Sequence, residues 1–351
     1  MIAKVERVTI KDLAHELELS YATVSRALNN HPRISQRTKE RVLLAAQNMG
    51  YRPNYFAKSL VKRKSNLIGL LVYDFRNTFY PELIRIIQDK AEELGYWVIQ
   101  GSTDDKLDKS NSLITSMMNT GVDGIIIASV REDDQTVKNL FDAGFAVVLV
   151  NRRIKEDVGD YVVLDNVDGA YLAVNHLLRM GRRRVGMIKG PSFTSTGEER
   201  YIGYLKAIQD AGLPLVEGLV EEGFFREDVG HQLAKCLMSK RNPPDAILCG
   251  DDEIAMGAMR ALDDMGLRVP DDVGLIGFDD SRISSHPRIQ LTTISQDVTK
   301  MGSLATEILI RRIEGRSSEY ERITLKPNLV IRKSCGFEAG EQKCESEAKM
   351  K

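Results

Sequence analysis

From Asn66 onward, short apolar runs alternate with stretches of helical period, and no other property of the chain restricts its fold as much. Leu67–Tyr73, Tyr96–Ile99, Gly124–Ala128 and Ala146–Val150 form one series of strand-like runs. Tyr161–Leu164, Arg184–Ile188, Ala246–Cys249 and Val273–Gly277 form a second. Amphipathic segments lie between them, such as Tyr80–Leu94, which Gly95 stops. Buried strands that alternate with helices predict parallel sheets covered on both faces. Two such series predict two lobes with a cleft between them. A chain of 351 residues also exceeds what one ordinary core can organise.

In sheets of this kind a ligand sits beyond the carboxyl ends of the strands, so the loops that follow strands carry the candidate site. After the first strand, Phe79 and Tyr80 offer ring faces for stacking. After Val150 come Asn151 and Arg152; after Ile188 comes the stretch Gly190–Arg200. Asp251 follows Cys249, and Asp279 follows Gly277. Carboxylates accept paired bonds from vicinal hydroxyls, arginine donates to hydroxyl or ring oxygens, and aromatic rings cover apolar C–H faces. That set suits a sugar. A cap or turn role stands beside ligand contact for each of these residues, as at Asp251 and Asp252, where a helix begins.

The first 64 residues differ in charge from the rest. They hold 13 Lys or Arg against 5 Asp or Glu, while the remainder holds 36 against 45. A basic end on an acidic body is the footprint of a nucleic-acid-binding module with a separate sensing domain. Thr9 and Asp12 have the spacing of a capping box, and Leu13, Ala14 and Leu17 repeat at helical period, predicting a helix over 10–17. Ser20 caps a second helix whose Val24, Ala27 and Leu28 turn inward. Ser35 caps a third, with Val42, Leu43, Ala46 and Met49 as the expected buried stripe and Gly50 as its stop. The first two helices, joined by a short turn, make a helix-turn-helix, whose second helix enters the major groove N-terminus first. Tyr21, Ala22 and Arg26 would face the bases there. Arg26 can fork onto guanine O6 and N7, a contact worth about 1–3 kcal/mol of discrimination.

The runs Val8–Ala14, Ser20–Asn29 and Ile34–Val42, continued by Tyr51–Asn54 and Ala57–Leu60, resemble the lac/gal repressor family of bacterial transcription regulators over almost the whole chain. The resemblance implies base contacts from Tyr21, Ala22 and Arg26, and phosphate contacts from Thr9, Ser25, Asn29, Ser35, Thr38, Tyr51 and Asn54. It also implies that 54–62 is a hinge helix lying in the minor groove, with Leu60 as an apolar wedge and Ala57 and Lys58 beside it. Nine residues hold no helix alone in water, which suits a switch. Thr196 and Arg200 match effector positions of the family, and Phe225 and Gln296 align with wall and crossover positions of related pockets. Thr196 and Arg200 also match the purine-responsive branch, but Thr194 stands where that branch has an additional Arg, so a purine is the weaker choice. Glu18 departs from the family, which commonly has Gly in that turn. A left-handed backbone there would cost Glu about 1 kcal/mol.

The implied architecture is α/β: a helix-turn-helix DNA-binding domain (1–53), a hinge helix and linker (54–65), then a two-lobed, periplasmic-binding-protein-like (type I) effector domain of parallel sheets (66–337). Its N-lobe would comprise about 66–164 and 296–324, and its C-lobe about 165–290 and 325–337, with crossovers near 164–165, 290–296 and 324–327. The polar tail 338–351 is expected to be disordered and lacks leucine heptads. Reading two half-sites calls for a two-fold dimer. No GxSxG, Walker loop, GxGxxG or His/Cys cluster is present, so neither enzyme chemistry, a metal nor a cofactor is expected. The scattered cysteines and the lack of a signal peptide or membrane span point to the cytoplasm. The expected protein is a DNA-binding regulator, taken as a repressor, that binds a pseudo-palindromic operator under control of a sugar-like effector. A cleft-binding receptor with a basic anchor would fit the two lobes but not the N-terminal motif.

Overall fold

The computed structural model describes residues 8–51, 64–216 and 218–336. The chain divides into two compact units, Met1–Ser65 and Asn66–Lys351.

In the first unit, α1 (Ile10–Glu16), α2 (Tyr21–Leu28) and α3 (Gln36–Asn48) each start at a hydroxyl cap, Thr9, Ser20 and Ser35. Thr9 and Asp12 complete the capping box. Leu13, Val24 and Val42 are fully buried, with Ala14, Leu17, Ala27 and Ala46 around them. Each large apolar side chain removed from water adds about 1.5–3 kcal/mol. Arg41 ties the helices further by donating to the Leu17 carbonyl at 2.9 Å. Leu43 departs from expectation. It is 54% exposed, because the inward stripe of α3 runs through Val42 and Ala46 and residue 43 sits about 100° round the helix.

Glu18, in the turn between α1 and α2, adopts φ 52°, so the left-handed conformation that suits Gly is present and Glu carries its cost. Glu18→Gly should therefore stabilise this unit by about 0.5–1 kcal/mol, the gain being trimmed by Gly's extra freedom in the unfolded chain. Thermal unfolding of the full-length protein should show the transition of this unit a few degrees higher; an unchanged or lowered midpoint would contradict the strain argument.

The second unit holds two six-stranded sheets. The first uses β1 (Leu67–Val72), β2 (Trp97–Ser102), β3 (Gly124–Ile127), β4 (Val147–Val150), β5 (Asp160–Leu164) and β11 (Arg322–Leu325), in the order β11-β5-β4-β3-β1-β2. Every pairing in it is parallel. The second uses β6 (Val185–Lys189), β7 (Val220–Glu222), β8 (Ala246–Cys249), β9 (Gly274–Asp279), β10 (Thr292–Ser295) and β12 (Asn328–Val330), in the order β12-β10-β9-β8-β6-β7. Here β12 pairs with β10 antiparallel at one edge, and the other pairings are parallel as expected. After β11 the chain returns to the second sheet in two residues, too few for a crossover helix, so the edge strand runs the other way.

Helices cover both sheets: α4 (Phe79–Glu93), α5 (Leu107–Thr120), α6 (Gln135–Asp142), α7 (Asn166–Arg179), α8 (Ser195–Asp210), α9 (Glu227–Met238), α10 (Asp252–Asp264) and α11 (Val298–Ile313). The strands β3, β4, β6, β8 and β9 are buried along their whole length, as coverage on both faces requires. In each sheet the first strand, β1 or β6, lies between its two successors, so the strand order reverses there and opens a crevice at the carboxyl ends. The chain passes between the lobes after Leu164, after Ser295 and after Leu325. Asp297 takes φ 47° at the second passage and caps α11 by accepting from the Lys300 N–H. No helix among the described residues is long and apolar enough to cross a membrane.

Candidate functional site

Two places gather the chemistry-bearing residues. On the first unit, Tyr21, Ala22, Arg26 and Asn29 are exposed and Ser25 is half-buried on α2, the face opposite Val24 and Ala27. Tyr21 is 55% exposed, which for an apolar ring in a small unit leaves a large surface without a partner. Arg26 makes no side-chain hydrogen bond or ion pair among the described residues. Thr9, Ser35 and Thr38 lie at helix N-termini, where backbone N–H groups and the helix dipole favour phosphate. The Ser35 and Thr38 hydroxyls are bonded to each other at 2.8 Å, and Thr9 Oγ1 to Asp12 at 2.7 Å. Tyr51 is half-buried against this core, and burial raises its hydroxyl pKa. Asn54, Ala57, Lys58 and Leu60, with the hinge segment, lie outside the described residues, as does the tail 338–351.

The second place is a cleft of about 250 Å³ between the lobes. Phe79, Tyr80, Asn151, Arg152, Thr196, Arg200, Phe225, Asp251 and Asp279 all line it. Tyr73 and Asn77 join them without having been singled out from sequence. Gln296 stands behind Asp279 and donates to its carboxylate instead of reaching the cleft itself. Strand ends deliver most of these groups. Asn151 and Asp279 follow or end β4 and β9 with φ 65° and 114°, backbone conformations that cost non-Gly residues energy and turn the chain sharply at the mouth. Gly190 makes room for Phe225: a Cβ there would lie 2.0 Å from its ring.

The charges are arranged in buried pairs. Arg200 donates to the Asn166 side chain at 3.0 Å and to the Gly250 carbonyl, lies 3.7 Å from Asp279, and covers the Phe278 ring at 3.6 Å. Arg152 binds Asp105 at 2.7 Å, a pair almost wholly removed from water. Burial works against the Arg152 charge, but Asp105 offsets it and holds the guanidinium above its ordinary pKa. Burial lowers Arg200 despite Asp279 and Asp251. Asp251 caps α10 through the Ile254 N–H at 2.8 Å, while its other oxygen accepts from Asn77 of the opposite lobe at 2.9 Å. It caps α10 and also lines the cleft. Burial pushes its carboxyl up to about 7 and that of Asp279 well above the usual range. Asp252 is different. It accepts from Ser281 and Thr293 and fastens α10 to β9 and β10.

Several buried atoms in and around the cleft have no partner among the described residues: Asn151 Oδ1, Arg152 Nε and Gln296 Oε1. Unmet hydrogen-bonding capacity in a polar, aromatic-walled cleft is what a hydroxylated ligand would use. Further bonds cross between the lobes at the rim, from Thr78 N–H to Glu253 at 3.2 Å and from Arg153 to Glu199 at 2.7 Å. Asn166, at the first passage between lobes, joins Arg200 to Glu199, so a cleft residue is wired to an interlobe ion pair. Neither Asn166 nor Asp105 carried a signal beyond lying just past a strand. Among the described residues no group of three or more His, Cys, Asp or Glu could hold a metal.

The model of the bacterial regulatory proteins of the lacI family matches residues 9–54, and that of the periplasmic binding protein-like domain matches 174–335. The catabolite control protein A of Priestia megaterium is 32% identical over 328 residues, which are 93% of this chain and 99% of that protein. A lac repressor dimer solved with operator and the anti-inducer ONPF superposes with a TM-score of 0.83 at 26% identity, over 94% of this chain and 99% of that one. The transcriptional regulator CelR in complex with cellobiose gives a TM-score of 0.72 at 29% identity, over 93% and 100%.

Proposed function

This chain belongs to the lacI family of bacterial regulatory proteins, and from that premise we propose that it binds a pseudo-palindromic operator as a homodimer and is controlled by a neutral sugar in the interlobe cleft. The protein is a transcription regulator and not an enzyme. The α2 face built from Tyr21, Ala22 and Arg26 reads bases, and Thr9, Ser25, Asn29, Ser35, Thr38, Tyr51 and Asn54 hold phosphates. Ala57, Lys58 and Leu60 occupy the minor groove in the same proposal. It works in the cytoplasm, on the nucleoid when bound to DNA.

One observation carries the choice of effector: both cleft arginines are already committed to carboxylates, Arg152 to Asp105 and Arg200 to Asp279. No uncompensated cation is left for a phosphate, whereas Asp251, Asp279 and the partnerless Asn151 oxygen can all accept from hydroxyls. Phe79, Tyr80 and Phe225 supply ring faces for C–H surfaces. The purine alternative is further weakened at Thr194, whose hydroxyl caps α8 and bonds the Pro191 carbonyl.

A thermal-shift screen of neutral pentoses and hexoses, sugar phosphates and purines tests this, since a ligand specific for the folded state raises the melting point. A neutral monosaccharide should give the largest shift, and a purine or sugar phosphate doing so would overturn the assignment. The pH dependence follows from Asp251. Its carboxyl, raised to about 7, must release its proton to accept from hydroxyls, so binding is full above that pH and weakens as pH falls through it. Titration calorimetry at pH 8 and pH 6 should show affinity falling about tenfold, the effect of linking one proton with that pKa. Equal affinity at both would remove Asp251 from the set of ionised acceptors.

A further inference from the structure

Of the bonds that run from the loop between β1 and α4 to the C-lobe, Asn77 makes two. The side chain is 6% exposed. Its Nδ2 donates to Asp251 Oδ2 at 2.9 Å and, more weakly, to the Phe225 carbonyl at 3.4 Å. The next residue, Thr78, donates its backbone N–H to Glu253. Asn77 Oδ1 accepts from the Phe79 N–H at 3.1 Å, in the first turn of α4. A backbone N–H can only donate, so this bond fixes which way the amide lies and aims its nitrogen at the other lobe. On the far side, Asp251 Oδ1 is held by the Ile254 N–H in the first turn of α10. One amide and one carboxylate thus link the N-termini of α4 and α10 in a continuous chain of bonds. Both helix ends are the positive poles of their dipoles, and the Asp251 carboxylate lies between them. A hydrogen bond to an ionised acceptor is about twice as strong as a neutral one, and burial strengthens it further. Two other N-lobe amides donate across the same seam, Glu132 to the Phe193 carbonyl and Arg153 to Ser195 Oγ, each at 3.0 Å. Both lie far along the chain from residue 77, so they report on closure of the lobes and not on the loop.

We propose that Asn77 is a positioning residue that clasps the two lobes through Asp251, and that this bond, more than the contacts at the rim, sets the closed arrangement of the cleft. The clasp also fixes the plane of the Asp251 carboxylate, one oxygen being held from the N-lobe and the other from α10. Lobe closure and the orientation of a cleft acceptor are therefore one event. The clasp stands whether or not the effector is a sugar.

Hydrogen exchange of the full-length protein at pH 8 with no sugar added, resolved to single amides, tests the clasp. Asn77→Asp keeps the acceptor for Phe79 and loses the donor to Asp251. Exchange of the Glu132 and Arg153 N–H groups should rise at least tenfold, while Ile126 in the buried strand β3 keeps its rate. The reciprocal pair, Asn77→Asp together with Asp251→Asn, again sets an amide against a carboxylate, with the donor now on the C-lobe. It should bring both amides back to within threefold of wild type, a rescue that a role confined to the fold of the loop does not predict. Should Asn77→Asp not fold, Asn77→Ser reads the same two amides, since its hydroxyl still accepts from Phe79 but is too short to reach Asp251. Faster exchange confined to residues 77–80, no rescue by the reciprocal pair, or wild-type Glu132 and Arg153 exchanging as freely as exposed amides would each overturn the proposal. No sugar takes part, so none of these outcomes bears on which effector the cleft holds.

Discussion

Replacing Arg200 with alanine should reduce affinity for the effector sugar by at least about 100-fold and leave operator binding in the absence of sugar unchanged. The side chain is only 3% exposed, and it sits where cleft, strand β9 and the first interlobe passage meet. Its loss has two consequences of the same sign. A charged donor to ligand oxygen disappears, worth about 1.5–3 kcal/mol. Asp279, with Asp251 near it, loses its main counter-charge, and breaking a buried pair costs about 3–5 kcal/mol if the remaining carboxylate stays ionised. It would instead take up a proton, and a protonated carboxyl is a poorer acceptor for sugar hydroxyls. At 1.4 kcal/mol per factor of ten, the first effect alone gives a tenfold to hundredfold loss and the second extends it. Arg200→Lys should not restore binding, because an ammonium cannot reach Asn166, the Gly250 carbonyl and Asp279 together. Calorimetry with the sugar found by the melting screen measures the first claim, and anisotropy of a labelled operator measures the second. Affinity within threefold of wild type would move Arg200 from ligand binding to a purely structural role.

The Asn166–Glu199–Arg153 chain predicts what the operator assay should show when sugar is added. Sugar should change operator affinity in wild type, and the variant should not respond, because the ligand no longer has differential contact with one lobe arrangement.

How much of this was legible in the sequence depends on the kind of signal each residue leaves. The strands that carry Asn151, Asp251 and Asp279 are unbroken apolar runs, so the loops after them were easy to locate, and the residues found there do converge on one cleft. Strand β2 is different. Its last residues are Gln100, Gly101 and Ser102, which a search for apolar runs ends at Ile99. The loop beyond it therefore starts later than the apolar run suggests, and nothing in the sequence marks Asp105 as the partner of Arg152. Tyr73 ends an apolar run and Asn77 lies shortly after it, but a single Asn or Tyr has no spacing to mark it, and only the approach of the second lobe gives Asn77 its bond to Asp251. Gln296 lies one residue beyond β10, and its bond to Asp279, where the backbone takes a positive φ, is a tertiary feature that no periodicity reveals. In the N-terminal unit caps and stripes are visible because they are local, and Leu43 departs because a run of five apolar residues, Val42 to Ala46, hides which of them face inward.

Arg26→Ala should weaken binding to the selected operator by a factor of roughly 5–150 for each half-site, and the two half-sites of a dimer should compound the loss. The magnitude comes from a bidentate arginine–guanine contact, about 1–3 kcal/mol, with distant sites adding nearly independently. The alternative assignments leave different signatures. If Arg26 held a phosphate, its removal would weaken all duplexes alike and lower the salt slope by about one per side chain. If it served the fold, the melting point would fall; the side chain is exposed and has no partner among the described residues, so it should not. Base reading predicts a third pattern: the selected palindrome is lost, a scrambled duplex is bound as before, and the salt slope holds. A duplex selected against the wild-type protein, titrated at two salt concentrations with both proteins, separates the three. Ala22 gives the complementary check from the same face of α2, since a methyl group can contact only apolar base surface and forms no fork. Ala22→Gly should cost specificity far less than Arg26→Ala, and equal losses would mean that the helix responds to packing and not to the guanine edge.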